Sequence, residues 1–233
     1  MGTFHVLEAC RRYEVRLHHV STDEVYGDKK LGDAALFTAD SPYRPSSPYT
    51  ATKAGSDLLV RSWVRSFGVA AAISNCCNNY GSFQHAEMFI ARTITNRIDG
   101  IRPRLYGDGR NVRDWIHVED HDAALFAVIE HGRLGEIYLI GARCEKSNLE
   151  IARTLNRLMG LPEEDFDLVA DRPGHDRRYG VDPTKLMEET GWTPRHTDFE
   201  AGLAQTIEWY RAHEDWWRPA KSGTEAQYAA HGQ

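Results

Sequence analysis

The chain has 233 residues, of which 41% are hydrophobic and 27% charged, a composition typical of a folded globular protein. Its net charge of −6 and pI near 6.0 argue against a broad nucleic-acid-binding face, which requires clustered lysine and arginine. No apolar run approaches the roughly 20 residues that span a bilayer, and we expect no signal peptide because the first residues lack its basic and apolar segments. Four cysteines without metal-ligand spacing fit a reducing compartment, so we expect a cytoplasmic location.

Helical and extended patterns alternate along the chain. Pro48 is well placed to begin a long helix that Gly68 ends, and Ser147 is a good N-cap for a later one. The pattern of residues 1–13 predicts a helix that already includes Met1 and has no N-cap residue before it. The predicted elements are helix 1–13, strand 16–22, loop 27–47, helix 48–67, strand 69–75, turn 78–81, helix 87–98, strand 104–106, turn 107–109, strand 112–118, a helix capped by Glu119 and Asp120 that runs to about residue 131, strand 137–140, helix 148–159, and helices at 182–189 and 199–213.

This alternation predicts an α/β fold with a mainly parallel sheet. The segments after about residue 100 are shorter and less regular than those before it. We therefore predict a first domain at residues 1–101. Residues 102–233 would mainly form a smaller lobe that is interleaved with the first domain.

Tyr49 and Lys53 lie one helical turn apart, so both side chains face the same side of the predicted helix. An adjacent ammonium favours the phenolate over the phenol, whose pKa is ordinarily about 10. A tyrosinate of this kind can take a proton from an alcohol or a sugar hydroxyl. By itself, the pair is also explained as an ordinary surface pair on a helix.

Thr22, Asp23 and Glu24 follow a predicted buried strand. Two adjacent carboxyls at a strand end point in different directions, and they can supply an acid and a base if one is protonated and the other ionised. A polar strand end in which Asp23 caps a turn would explain the same residues.

Together these segments resemble the extended short-chain dehydrogenase/reductase superfamily, and within it the dTDP-glucose 4,6-dehydratase family. The matching stretches are residues 20–27, 47–53, 78–81, 106–121, 171–179 and 214–219. The Thr-Asp-Glu triplet is the discriminating part, because related nucleotide-sugar epimerases and decarboxylases carry other residues there. The resemblance implies a Rossmann-like parallel sheet, of which this chain holds the C-terminal half of the NAD-binding domain, with a smaller α/β lobe for the nucleotide-sugar.

The resemblance implies dehydration of dTDP-glucose to the 4-keto-6-deoxy sugar through transient oxidation at C4 by NAD. Tyr49 would be the base for that oxidation, Lys53 would lower its pKa, and both would contact the cofactor. Thr22 would hydrogen-bond the C4 oxygen. Glu24 would remove the C5 proton, and Asp23 would protonate the departing C6 hydroxyl.

The same resemblance implies a set of substrate-binding residues. Arg113 and Arg172 would hold the diphosphate, since a guanidinium fork suits phosphate oxygens, although an arginine in either loop could instead form a surface ion pair. Asn78, Glu87 and His175 would join them. The family also implies a homodimer.

Some features depart from the family. Met88 stands where the family usually has lysine, and Cys144 where it often has asparagine. No Gly-rich G-x-x-G-x-x-G turn for a cofactor pyrophosphate occurs in the chain, so the resemblance implies a preceding cofactor-binding half. The residues from His117 to His121 superficially suggest metal ligands, but their spacing better fits a strand end and a helix cap, and we expect no metal.

Three hypotheses therefore remain open. The chain belongs to an active dehydratase whose cofactor half is encoded upstream, or it is a non-catalytic nucleotide-sugar-binding or dimerisation remnant. A related epimerase or decarboxylase is the third, which the carboxyl pair of Asp23 and Glu24 argues against.

Overall fold

A computed structural model describes residues 1–171 and 174–230. Within them the helices and strands alternate as predicted, and the fold is α/β with a parallel sheet. In chain order the elements are α1 (Gly2–Tyr13), β1 (Leu17–Thr22), a 3₁₀-helix (Asp23–Tyr26), α2 (Pro48–Phe67), β2 (Ala71–Cys76), β3 (Asn78–Tyr80), α3 (Phe89–Ile98), β4 (Arg104–Tyr106), β5 (Val112–His117), α4 (Val118–His131), β6 (Ile137–Ile140), β7 (Glu145–Ser147), α5 (Asn148–Leu158), β8 (Asp167–Val169), β9 (Arg178–Tyr179), α6 (Thr184–Thr190), α7 (Phe199–Ala212) and α8 (Glu214–Ala230).

The chain divides into two compact units, each built from three separate segments. The first unit comprises Met1–Asn79, Asn111–Glu145 and Pro173–Thr197, and the second comprises Tyr80–Arg110, Lys146–Arg172 and Asp198–Gln233. The predicted ranges 1–101 and 102–233 do not coincide with these units, because the chain passes between them five times.

The first unit is built on a parallel sheet in the order β1-β2-β6. Thr22 at the end of β1 lies opposite Cys76 at the end of β2, and Cys76 lies opposite Ile140 at the end of β6. All three strands therefore end at the same edge of the sheet, which is where parallel α/β folds place their chemistry. The core packed against this sheet includes Leu7, Val60, Ala71, Ile73, Ile116, Val128, Ile137 and Leu139.

Helix α2 begins and ends as its sequence predicts. Ser47 and Thr50 form a capping box, in which each side chain binds the backbone N–H of the other residue, and Pro48 occupies the first turn. Gly68 ends the helix in the left-handed conformation with φ of 68°. Tyr49 is thereby fixed in the first turn of a well-capped helix.

The second unit packs helices α3, α5 and α7 around its own core. The buried side chains include Ile90, Ile94, Leu105, Ile151, Leu155, Leu203, Tyr210 and Trp217. None of the described helices is both long enough and apolar enough to cross a membrane.

Two local predictions are wrong. Residues 78–81 are not simply a turn, because Asn78–Tyr80 forms strand β3. Helix α4 is capped by His117 and not by Glu119 and Asp120, since the His117 Nδ1 accepts the Glu119 backbone N–H at 3.3 Å. Strands β3, β7, β8 and β9 have only two or three residues, too few to show a period in sequence.

Candidate active site

Thr22 turns the chain from strand β1 into the short 3₁₀-helix that carries both carboxyls. Its hydroxyl accepts the backbone N–H of Glu24 at 3.3 Å and donates to Oδ1 of Asp23 at 3.4 Å. This local capping explains why a β-branched hydroxyl residue precedes the two acids. It places Asp23 and Glu24 at the carboxyl edge of the sheet.

Asp23 lies in a setting that favours its protonated form. Only 1% of the residue is exposed, and among the described residues its Oδ2 has no hydrogen-bond partner. Burial raises the pKa of Asp23 well above its usual range, and the negative charges of Glu24, Cys76 and Asp114 raise it further against the opposing charge of Arg113. A carboxyl that keeps its proton near neutral pH can act as a general acid.

Tyr49 and Lys53 face this strand end from helix α2. Tyr49 is 56% exposed, and its phenol is available to a ligand. Partial burial raises the pKa of Tyr49, and the neighbouring charges of Glu24 and Asp23 raise it further. The Lys53 ammonium donates to the Val20 carbonyl at 3.0 Å.

The lowering of the Tyr49 pKa by Lys53 that the resemblance implies is therefore not seen, and the shift runs in the opposite direction. Partial burial is the largest cause of this rise and the nearby carboxyls add to it, while the Lys53 ammonium binds a backbone carbonyl of β1. Tyr49 is near enough to Glu24 and Asp23 for their charges to affect its pKa, and the role of these residues in one proton-transfer site stays a prediction.

Arg113 is buried in the same unit, with 5% of its surface exposed. Its guanidinium donates to the carbonyls of Val112 and Asp176, each at 2.8 Å, and lies 3.9 Å from the ring centroid of Tyr179. Its charge lowers the pKa of Asp23, against the larger effect of burial. The Arg113 guanidinium, which is the predicted diphosphate ligand, thus also affects the pKa of Asp23.

The other predicted ligands are distributed over the chain. Asn78 in β3 and His175 near β9 are half-buried in the first unit. Glu87 is exposed in the second unit, where its carboxylate lies 4.0 Å from Nδ1 of His85. Arg172 lies outside the described residues.

The effect of Cys76 on Asp23 is not visible in the sequence, where the four cysteines show only that metal-ligand spacing is absent. Burial alone raises the pKa of this thiol, but hydrogen bonds with Cys77, His121 and Asn79 outweigh burial and bring it to about 6. The Asn79 Nδ2 to Cys76 Sγ distance is 3.6 Å. The position of Cys76 opposite Thr22, visible only in the sheet register, makes its charge part of the environment of Asp23.

One group of side chains in the described part of the chain has metal-like spacing, namely His117, Glu119 and His196. The His117 and His196 rings stack with their centroids 4.0 Å apart and an interplanar angle of 22°. The lone pairs of stacked imidazoles lie in nearly parallel planes and do not converge on one ion. The His117 Nδ1 also accepts the Glu119 N–H, so this group forms a helix cap.

The sequence was also compared with known families and curated proteins. The sequence model of the GDP-mannose 4,6-dehydratase family matches residues 1–206. A dTDP-glucose 4,6-dehydratase of Mycolicibacterium smegmatis is 60% identical over all 233 residues, which cover 70% of that protein. A dTDP-glucose 4,6-dehydratase of Escherichia coli is 43% identical over 96% of this chain and 68% of its own length.

Solved structures match at the level of the fold and the sequence. DesIV, a dTDP-glucose 4,6-dehydratase from Streptomyces venezuelae with NAD and TYD bound, superposes with a TM-score of 0.90 at 44% identity. That match covers 94% of this chain and 67% of DesIV. The UDP-glucose 4-epimerase of Thermus thermophilus with NAD has a TM-score of 0.82 at 28% identity, over 91% of this chain and 69% of that one.

Proposed function

Because the chain belongs to the dTDP-glucose 4,6-dehydratase family, we propose that it carries the catalytic residues for dehydration of dTDP-glucose to dTDP-4-keto-6-deoxyglucose in deoxysugar biosynthesis. The observation that carries this proposal is the pair of neighbouring carboxyls in unlike environments. Asp23 is buried, which raises its pKa well above the usual range, whereas Glu24 is only half-buried. Elimination of water across C5 and C6 needs one acid and one base, and an epimerase needs neither.

The cofactor of the proposed reaction is NAD, and the residues present fit its nicotinamide end. Tyr49 and Lys53 place a phenol and an ammonium one turn apart on α2, and the 56% exposure of Tyr49 leaves it accessible to a ligand. When bound, NAD supplies a hydride acceptor at C4 that later returns the hydride to C6. No Gly-rich pyrophosphate turn occurs within the 233 residues, so NAD binding by this chain alone would be weak.

In the proposed mechanism, Tyr49 takes the proton of the C4 hydroxyl while Thr22 hydrogen-bonds the C4 oxygen. The resulting ketone acidifies the C5 proton, which passes to Glu24. Asp23 gives its proton to the C6 hydroxyl, which leaves as water. A bound NAD would supply the hydride for C6, and Glu24 returns its proton to C5. Exchange with solvent removes the proton from Tyr49 and restores that of Asp23, so the only net change is loss of one water.

The remaining assignments belong to the same proposal. The diphosphate would bind Arg113 and Arg172, with Asn78, Glu87 and His175 as further ligands of the nucleotide-sugar. The four cysteines form no disulfide among the described residues, which supports a reducing cytoplasm. Exposed apolar residues on α1 and α2, among them Tyr13, Leu58 and Phe67, support a homodimer, which light scattering in solution would test.

Two alternatives can be separated cheaply. The first is a non-catalytic remnant that binds a nucleotide-sugar or a partner subunit. An in-frame Gly-rich segment encoded upstream of Met1 would support the enzyme, whereas a stop codon there would support the remnant. A related epimerase or decarboxylase is disfavoured by the buried acid beside Glu24.

The assignment of Glu24 as the base for the C5 proton is tested with Glu24→Gln in the full-length protein that contains this chain. We expect loss of exchange of the C5 proton with deuterated water during incubation with dTDP-glucose and NAD, because the amide cannot accept that proton. Oxidation at C4 should persist, since it uses Tyr49. The matched control is Glu188→Gln on α6, an exposed position, and persistent C5 exchange in Glu24→Gln would refute the assignment.

A further inference from the structure

A fully buried carboxylate lies behind the candidate active site. Asp57 follows Tyr49 and Lys53 on α2 at intervals of four residues, so all three lie along one face of the helix. Tyr49 is exposed at 56%, whereas Asp57 has no exposed surface. A buried carboxylate is strongly unfavourable unless hydrogen bonds satisfy it.

The required hydrogen bonds come from three other segments of the chain. The Asp57 Oδ1 lies 3.1 Å from Nε2 of His19 in β1. Its Oδ2 accepts the Tyr43 hydroxyl at 3.1 Å and the Asn75 amide at 2.9 Å. One side chain of α2 therefore joins the helix to β1, to the loop before α2 and to β2.

The amide of Asn75 extends this connection to the catalytic strand end. Its Nδ2 donates to Asp57 Oδ2 and also to the Thr22 carbonyl at 3.0 Å, and its Oδ1 accepts the Tyr26 hydroxyl at 3.4 Å. A carboxylate and a carbonyl can only accept, so both need the NH₂ group and the amide has one satisfactory orientation. The Thr22 carbonyl belongs to the peptide that leads directly into Asp23.

We propose that Asp57 is a positioning residue for the dehydratase site, and the inference rests on the proposed function. Its carboxylate orients the Asn75 amide, which holds the Thr22 carbonyl. The helix that carries Tyr49 is thereby fixed relative to the strand end that carries the two acids. Asp57 itself touches neither substrate nor cofactor in this assignment.

The variant that tests the proposal is Asp57→Asn, which keeps the size of the side chain, made in the full-length protein that contains this chain. An asparagine presents one NH₂ group to neighbours that are chiefly donors, so at least one of the three hydrogen bonds is lost. We expect kcat with dTDP-glucose to fall about 10- to 100-fold, since small misplacements of catalytic groups have effects of that size. KM should change by less than about 2-fold, because the ligand-binding residues are untouched. Asp40→Asn, at an exposed loop position, is the matched control.

A positioning role differs from a purely structural one in two further measurements. Asn75→Ala should lower kcat comparably, and adding Asp57→Asn to it should have little further effect, because both act through the Thr22 carbonyl. The Glu24 amide, which donates to the Thr22 hydroxyl, should exchange faster with deuterated water in Asp57→Asn. All kinetics are measured well below the melting temperature of each variant.

An unchanged kcat in folded Asp57→Asn, or effects of the two substitutions that simply add, would overturn the proposal. Failure of the proposed function gives a different result, since the unsubstituted full-length protein would then not form the keto product. In that event hydrogen exchange at Glu24 still decides whether Asp57 orders the strand end.

Discussion

At the scale of single residues, the site depends on the different surroundings of Asp23 and Glu24. Adjacent positions on a 3₁₀-helix point in different directions, so one carboxyl enters the protein and the other stays half-buried. Burial and nearby negative charge raise the pKa of Asp23 and favour its protonated form, whereas Glu24 is only half-buried. Two residues of the same chemistry thereby become suited to opposite tasks.

The raised pKa of Asp23 predicts a pH-dependent stability that can be measured without any substrate. Because the folded pKa lies above the unfolded value of about 3.9, the folded chain retains this proton where the unfolded chain has lost it. The free energy of unfolding therefore falls as pH rises from about 4 towards the raised pKa. The side chain of Asp23→Asn does not ionise, so this variant avoids the fall in the free energy of unfolding. That fall is about 1.4 kcal/mol for each pH unit between the unfolded and the folded pKa.

We expect the melting temperature of Asp23→Asn, relative to the unsubstituted chain, to increase steadily from pH 4 to pH 7. Each kcal/mol corresponds to about 2–4 °C for a chain of this size. Asp40→Asn serves as the control for removal of one exposed negative charge. A difference in melting temperature between Asp23→Asn and the unsubstituted chain that stays constant from pH 4 to pH 7 would contradict the assignment of Asp23 as a protonated acid.

At the scale of elements, the long loop before α2 is held firmly against the segment around β9. Lys29 N–H binds the Arg178 carbonyl and Phe37 N–H binds the Gly180 carbonyl, each at 2.9 Å. The loop leaves the catalytic 3₁₀-helix at Gly27, whose φ of 84° and ψ of −161° are accessible essentially only to glycine. The turn at Gly27 therefore determines how the loop leaves Asp23 and Glu24.

Gly27→Ala should destabilise the chain more than the same substitution at Gly32. A Cβ at Gly27 would lie 2.1 Å from the Arg44 carbonyl oxygen, a backbone atom that cannot move aside easily. Gly32 also has positive φ, 85°, but a Cβ there would meet no atom within 4 Å among the described residues beyond its chain neighbours. We expect the free energy of unfolding to fall by about 1–3 kcal/mol more for Gly27→Ala, measured by urea denaturation. Equal losses for both variants would show that Arg44 gives way.

At the scale of the whole molecule, the chain interleaves two compact units while covering about 70% of its M. smegmatis relative. The first unit holds the proton-transfer residues, and the second contains Glu87 with the helices around it. The Gly-rich turn that binds a dinucleotide pyrophosphate is not part of these 233 residues. Binding of the cofactor can therefore be measured separately from the action of the proposed proton-transfer residues.

We expect the 233-residue chain by itself to form no 4-keto product from dTDP-glucose and NAD, because weak NAD binding limits the first oxidation. The measurement is the absorbance of the keto sugar in alkali, with a characterised relative as the positive control. Product formed by this chain above background would overturn the prediction. Calorimetric titration with NAD gives an independent check on the same argument.

The sequence by itself determined the α/β class and the extent of the long helix α2, and it proposed Thr22, Asp23, Glu24, Tyr49 and Lys53 as one site. Capping residues and local motifs depend on neighbours within a few positions, and these are visible in one dimension. Only the tertiary structure decided the protonation of Asp23, because its burial and the charges of Cys76 and Asp114 come from separate strands. It also reversed the expected shift of Tyr49 and revealed Asp57, whose partners His19, Tyr43 and Asn75 lie 14 to 38 positions away. Electrostatics and buried hydrogen bonding depend on distance in space, and distant segments of the chain supply them.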